Sequence, residues 1–135
     1  MLSIVEKVMA LKSSTFFAKT KENILVDVAA MLKEVELKAG ETLFEKGQLG
    51  DCMYIVHSGQ LRIHDGERTF EQLEEGGAFG ELALLDPAPR SAQATAMSDT
   101  RVLRLDADPF YELIADHSDV AQAIMQVLAR RLRRW

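Results

Sequence analysis

The chain begins with apolar residues at a helical spacing. Between Leu2 and Leu11 they recur every three or four positions, which predicts a helix. A second stripe with the same period follows Thr20, which is a suitable helix cap. The members of this stripe are Ile24, Leu25, Val28, Met31 and Leu32. We therefore expect two helices within residues 1–33.

The pattern changes from helical to alternating near residue 34, and glycines then recur at short intervals. Runs typical of strands lie between these glycines, at Thr42–Glu45, Cys52–His57, Gln60–Asp65 and Glu67–Leu73. The dipeptide Asp65-Gly66 is a strong signal for a tight hairpin between two of these runs. Many short strands with regular turns are typical of a sandwich or a barrel.

Two further strand-like runs, Ser91–Met97 and Arg101–Leu105, precede a return to the helical period. Asp108 before Pro109 predicts a helix start, and Ser118 can cap a last helix. This order predicts an α+β fold: an antiparallel jelly-roll β-barrel of about eight strands, flanked by N-terminal and C-terminal helices. We assign one domain, residues 1–135, with helices at 1–33, the barrel at 34–106 and helices at 107–135.

Length and composition fit a single globular domain. The 135 residues are enough for one hydrophobic core. No apolar run approaches the length of a membrane span, and the N-terminus lacks a signal-peptide pattern. Cys52 is the only cysteine, so an intrachain disulfide is impossible. We therefore expect a cytoplasmic protein without a membrane span.

The charge balance and the polar residues exclude several classes of function. A net charge of −5 argues against a general nucleic-acid-binding surface. The histidines include no His-x-His pair, so we expect no metal site, and one cysteine is too few for an iron–sulfur cluster. We find no nucleophile elbow and no P-loop, and therefore expect neither an enzyme nor a cofactor.

The segment from Phe79 to Ala92 has the features of an anion cradle. Gly80 permits a tight turn and a close approach of the backbone to a ligand. The next residues, Glu81–Leu85, can form a short helix whose N-terminal amides favour phosphate. Arg90 offers a planar donor fork for phosphate oxygens, whereas Glu81 is an acceptor that suits a hydroxyl such as a ribose 2′-OH. Together these groups indicate a nucleotide site.

The same segment resembles the phosphate-binding cassette of the cyclic nucleotide-binding domain family. That family includes the regulatory subunits of cyclic-AMP-dependent kinase, the bacterial catabolite activator protein and cyclic-nucleotide-gated channels. The run Phe-Gly-Glu-Leu-Ala-Leu and the later Pro-Arg match the family pattern, and Ser91 stands where many members have Ala or Thr. A second block, from Gly40 to Gly59, resembles the early strands of that family. The resemblance extends from about Phe16 to about Leu132.

The resemblance implies a regulatory domain that binds 3′,5′-cyclic AMP, with weaker binding of 3′,5′-cyclic GMP. It assigns the cyclic phosphate to Arg90 and to backbone amides, and the ribose 2′-OH to Glu81. The ligand contacts that it implies are Gly80, Glu81, Leu82, Ala83, Arg90 and Ser91. It also implies that the C-terminal helices move when the ligand binds, with Phe110, Leu113 and Ile114 as hinge contacts.

Family members usually cover the purine with a side chain near the end of the C-terminal helix. The candidates for such a lid here are Arg130, Arg131, Arg134 and Trp135. The final helix has no glycine or proline stop, so we expect a longer parent protein with an effector domain, or a separate effector partner. The same helix could also mediate a homodimer, and the sequence does not decide the oligomeric state.

Other interpretations of these residues remain at this point. The basic cluster at the C-terminus, including Arg131, also fits cations placed at the negative end of a helix dipole. Glu81 and Arg90 could form an ion pair within a surface loop. The fold could also serve as an interaction module with little nucleotide affinity. A titration with cyclic nucleotides discriminates between a nucleotide-binding domain and an interaction module.

Overall fold

The structure is a computed structural model, and it describes residues 1–14 and 16–133. In that part of the chain five helices and ten strands form. The helices are α1 (Ile4–Ser13), α2 (Glu22–Met31), α3 (Glu81–Leu85), α4 (Ala107–Asp116) and α5 (Ser118–Leu132). The strands are β1 (Lys33–Leu37), β2 (Thr42–Phe44), β3 (Leu49–Gly50), β4 (Cys52–Ser58), β5 (Leu61–Asp65), β6 (Arg68–Leu73), β7 (Ala78–Phe79), β8 (Ala88–Pro89), β9 (Gln93–Ala96) and β10 (Thr100–Asp106).

The strands pair antiparallel in two four-stranded sheets and one short ribbon. One sheet has the order β1-β10-β4-β7, the other has the order β2-β9-β5-β6, and β3 pairs with β8. The predicted α+β class with an antiparallel jelly roll between helices is confirmed. The described residues form ten strands where about eight were expected, and three of them, β3, β7 and β8, have two residues each, too few for a visible alternation.

Strand β4 separates two hydrophobic cores. Residues Cys52, Tyr54 and Val56 face the core between the two sheets. Met53 and Ile55 face the opposite way, into the core under the helices. A strand that is covered on both faces reads as a continuous apolar run, which explains why this segment shows no alternation in the sequence.

The helices pack on the outer face of the first sheet. Phe17 of the N-terminal segment meets Phe110 of α4 edge to face, with ring centroids 5.9 Å apart. Leu84 of α3 and Ile124 of α5 lie in the same core. The short helix that follows Gly80 is therefore in contact with the core that anchors the C-terminal helices. Within the described ranges, no helix is long and apolar enough to cross a membrane.

The predicted helix caps are wrong at three places. The N-cap residues of α2, α4 and α5 are Lys21, Asp106 and His117, whereas the sequence had suggested Thr20, Asp108 and Ser118. None of the three observed caps makes a side-chain hydrogen bond to the helix. Tertiary packing of an apolar face is the main source of helix stability in proteins, and it sets these starts.

Candidate functional site

The turn at Gly80 fixes the geometry of the cassette. Gly80 has a φ of +91°, in the left-handed region, and directly precedes α3. A Cβ atom at this position would lie 2.8 Å from the Cys52 carbonyl oxygen and 2.8 Å from Arg90 Nη1. Glycine is therefore required here by conformation and by space. The predicted short helix at residues 81–85 is present with the expected bounds.

Backbone hydrogen bonds hold the two ends of the cassette. The Leu84 amide donates to the Gly80 carbonyl at 3.0 Å, and the Asp86 amide donates to the Leu82 carbonyl at 2.8 Å. The amides of Leu82 and Ala83 precede that of Leu84, which is the first amide to donate within this helical turn. At the other end, the Arg90 amide donates to the Gln48 carbonyl at 2.7 Å. Main-chain contacts thus place Arg90 close to the first turn of α3.

The Arg90 side chain is buried, with 7% exposure. Its Nη2 atom donates to the Cys52 carbonyl oxygen at 2.9 Å and lies 3.4 Å from Cys52 Sγ. Aromatic rings surround the guanidinium, since its Cζ atom is 4.6 Å from the ring centroid of Phe44, 5.7 Å from Tyr54 and 5.9 Å from Phe79. Ring faces attract a cation, so this aromatic cage holds the guanidinium in one position.

No carboxylate of the described residues neutralises this cation. Among residues 1–14 and 16–133, no carboxylate lies within 4 Å of the Arg90 guanidinium. A buried charge is costly unless it is paired. The site is therefore suited to an anionic ligand that accepts charged hydrogen bonds from the planar fork.

Glu81 lies at the other end of the same site and meets the C-terminal helix. Its carboxylate is 19% exposed, and Arg131 Nη1 of α5 lies 3.8 Å from Oε2. Burial raises the pKa of Glu81, while Arg131 lowers it in opposition. Glu81 is therefore a partly desolvated acceptor whose charge interacts with Arg131 on α5.

All six predicted contact residues line one cavity of about 790 Å³. This volume lies in the range typical of small-molecule sites. The structure also places Glu71 and Leu128 in the cavity wall, and the sequence analysis missed both. Another cavity, of about 690 Å³, also touches Arg90 but none of the other five predicted residues. The first cavity is therefore the candidate ligand site.

The lid candidates fall into two groups. Arg131 reaches the site through Glu81, whereas Arg130 is exposed and does not line the cavity. Arg134 and Trp135 lie outside the described residues. Of the histidines, His64 lies within hydrogen-bonding distance of the Gly66 carbonyl and the Thr95 hydroxyl, so it has a structural role. No group of three metal-ligating side chains occurs in the described ranges.

Gly50 is a further residue that the sequence analysis did not assign to the site. A Cβ atom there would lie 2.6 Å from Arg90 Nε and 2.7 Å from Cζ. We expect Gly50→Ala to push the guanidinium out of the aromatic cage and to weaken ligand binding about tenfold. Titration calorimetry measures this change. Leu49→Ala, at an exposed position of the same strand, is the control, and equal affinities of the two variants would contradict the expectation.

Comparison with known proteins finds relatives of this chain. A family model described as the cyclic nucleotide-binding domain matches residues 34–117. The chain is 33% identical over 123 residues to a CRP-like cAMP-activated global transcriptional regulator of Mycobacterium tuberculosis, which covers 87% of this chain. The chain spans about half of that regulator, 55% of its length.

Solved structures show the same fold. The N-terminal domain of a transcriptional regulator from Streptomyces coelicolor superposes with a TM-score of 0.88 at 30% identity, covering 93% of both chains. The regulatory domain of Toxoplasma gondii PKA, crystallised with cAMP, superposes with a TM-score of 0.75 at 35% identity. That match covers 84% of this chain and 45% of the Toxoplasma chain.

Proposed function

The chain belongs to the cyclic nucleotide-binding domain family, and we propose that it is a sensor for 3′,5′-cyclic AMP within a regulatory protein. The observation that carries the proposal is the buried Arg90 guanidinium, which meets no described carboxylate and shares a cavity with Glu81. One relative is named for activation by cAMP, and one structural neighbour was crystallised with it. These names support cyclic AMP as the ligand.

In the proposed complex the cyclic phosphate lies between Arg90 and the first turn of α3. The guanidinium is already held in place by the Cys52 carbonyl and the aromatic cage. The Arg90 side chain therefore loses little conformational entropy when the ligand binds. The backbone amides of Leu82, Ala83 and Ser91 supply further donors. The absence of a side chain at Gly80 lets the phosphate approach the backbone closely.

The ribose is proposed to bind at Glu81. A carboxylate accepts hydrogen bonds and cannot donate them, so a hydroxyl is a suitable partner whereas a phosphate is not. Arg131 of α5 lies 3.8 Å from one oxygen of this carboxylate. The ribose 2′-OH and α5 therefore meet at the same group.

Cyclic GMP is proposed as a weaker ligand. Ser91 is exposed at the cavity and carries a hydroxyl that can donate to a guanine in the syn conformation. Serine lacks the γ-methyl group of threonine, so its hydroxyl rotates more freely and can also turn to the phosphate. We therefore propose a preference for cyclic AMP with measurable binding of cyclic GMP.

The signal is proposed to travel through α3 to the C-terminal helices. The Tyr111 hydroxyl of α4 lies 2.7 and 2.9 Å from the carbonyl oxygens of Leu84 and Leu85, which share its one proton. Leu128 of α5 lines the ligand cavity. A shift of α3 on phosphate binding would thus change contacts of both helices, with Phe110, Leu113 and Ile114 as the hinge contacts. An effector domain or partner protein would respond to that movement.

Arg131 is proposed to act as part of the lid. We expect Arg131→Ala to weaken cyclic AMP binding about fivefold, because Glu81 would lose the cation that orients its carboxylate, and a half-exposed ion pair contributes only about 1 kcal/mol. Calorimetry measures the dissociation constant. Arg130→Ala removes an exposed charge from the same helix and serves as control. An unchanged affinity of the Arg131 variant would remove it from the lid.

Thermal unfolding tests the proposed function with a panel of ligands. A ligand at a hundred times its dissociation constant stabilises a folded domain by about 2.7 kcal/mol, which raises Tm by roughly 10 °C at this size. We expect the largest rise with cyclic AMP, a smaller one with cyclic GMP, and none with cyclic dinucleotides. No rise with any cyclic nucleotide would favour an interaction module of the same fold.

A further inference from the structure

Glu71 occupies an unusual position on strand β6. In the hydrogen-bonded register it lies opposite Ile63, just as Leu73 lies opposite Leu61. Residues directly opposite each other on antiparallel strands share one face of the sheet. Ile63, Leu61 and Leu73 are all buried in the core between the two sheets. Glu71 is therefore a carboxylate on the interior face, where the strand alternation calls for an apolar residue.

The carboxylate of Glu71 has no partner within the part of the chain that the structure describes. No hydrogen bond or ion pair to it occurs there, although it is on the interior face. It remains exposed because it stands at the wall of the ligand cavity, and it is the single β6 residue in that wall. Burial is the larger cause of the raised pKa of Glu81, and the Glu71 charge raises this pKa further. Arg131 acts in the opposite direction and lowers it.

The arrangement of the cavity leaves one part of the ligand for Glu71. The cassette side of the cavity, with Arg90 and Glu81, is taken by the phosphate and the ribose in the proposed complex. The base is then left to the sheet side, where Glu71 stands. A carboxylate accepts hydrogen bonds only. Adenine presents a donor at C6, its amino group, whereas guanine presents a carbonyl acceptor at that position.

We infer that Glu71 accepts a hydrogen bond from the 6-amino group of bound adenine and so selects cyclic AMP over cyclic GMP. This inference rests on the proposed function of the same cavity. A 6-oxo purine would place an acceptor against an ionised acceptor, so the Glu71 carboxylate would lose water there without gaining a hydrogen bond. Glu71 thus determines base specificity together with Ser91, while Arg90 and Glu81 recognise the sugar phosphate that all these ligands share.

The experiment compares two ligands that differ by one group. Cyclic AMP and purine riboside 3′,5′-cyclic monophosphate are identical except for the 6-amino group. For the wild type we expect cyclic AMP to bind about tenfold more tightly than the deaminated analogue. For Glu71→Ala we expect equal affinities. Deleting the negative charge of Glu71 should tighten the binding of any anionic ligand. The ratio of the two dissociation constants cancels this general gain in affinity, because both ligands carry the same charge.

Glu71→Gln gives a second readout that a merely structural role would not produce. Glutamine has an amide that donates to a 6-oxo group, so we expect the preference for cyclic AMP over cyclic GMP to fall about tenfold. Glu67→Gln, in the turn before β6, removes the same charge outside the cavity and should leave both ratios unchanged.

The outcomes separate this inference from the proposed function. Binding of none of the ligands by the wild type would overturn the proposed function itself. Tight binding of cyclic AMP with both ratios unchanged in the Glu71 variants would overturn the inference alone. An inward charge on an edge strand also discourages pairing with other chains. If that were the sole role of Glu71, the variants would self-associate with unchanged ligand ratios, which gel filtration detects.

Discussion

Replacement of Arg90 by alanine is expected to lower the affinity for cyclic AMP at least about a hundredfold. Charged hydrogen bonds from one guanidinium contribute about 1.5–3 kcal/mol each, and the phosphate would lose two of them. The loss is large because the guanidinium is buried, and the cage that holds it contains no second cation among the described residues. Titration calorimetry with purified variant and ligand measures the change.

Two further variants make this expectation specific. Arg90→Lys keeps the charge but loses the planar fork, so we expect a loss of about tenfold. Arg68→Ala is the matched control, since Arg68 also stacks on an aromatic ring, 5.2 Å from the centroid of Phe70, but on an exposed strand. Circular dichroism and thermal unfolding show whether the variants are folded. A folded Arg90→Ala protein with wild-type affinity would refute the assignment of the phosphate site.

The second large effect concerns the sugar. We expect the wild type to bind 2′-deoxy cyclic AMP about ten- to a hundredfold more weakly than cyclic AMP. A desolvated acceptor that is left without its donor costs about 1–3 kcal/mol, and Glu81 is such an acceptor because its carboxylate is 19% exposed. Competition between the two nucleotides for the same protein measures the ratio.

Variants of Glu81 identify the group that senses the 2′-OH. Glu81→Ala should bind both nucleotides with the same affinity, and Glu81→Gln should show a smaller difference than the wild type. Glu112→Gln, at an exposed position of α4, is the control and should keep the full ratio. Equal affinity of the wild type for both nucleotides would remove Glu81 from the ribose.

Local motifs of the sequence predict the backbone of the cassette well. The sequence predicts a tight turn at Gly80 and a short helix at residues 81–85, and both are present, because a glycine before a run of helix formers is a local signal. The six predicted contact residues also come together in one cavity. Their individual roles toward a ligand stay predictions.

Contacts between distant segments explain what the sequence did not reveal. The aromatic cage of Arg90 brings together Phe44 of β2, Tyr54 of β4 and Phe79 of β7, and no short pattern links these strands. Glu71 looked like an ordinary polar residue because only the register with Ile63 shows that it faces inward. The helix starts were misplaced for a related reason, since packing and not capping sets them.

The most direct test of the account is a calorimetric titration of the purified chain with cyclic AMP, with 5′-AMP as control. Both nucleotides carry the same base and ribose, but only one has the cyclic phosphate and the single negative charge that the Arg90 site is proposed to bind. We predict saturable binding of cyclic AMP at one site per chain, and binding of 5′-AMP at least about a hundredfold weaker. No binding of cyclic AMP, or equal binding of both nucleotides, would contradict the account.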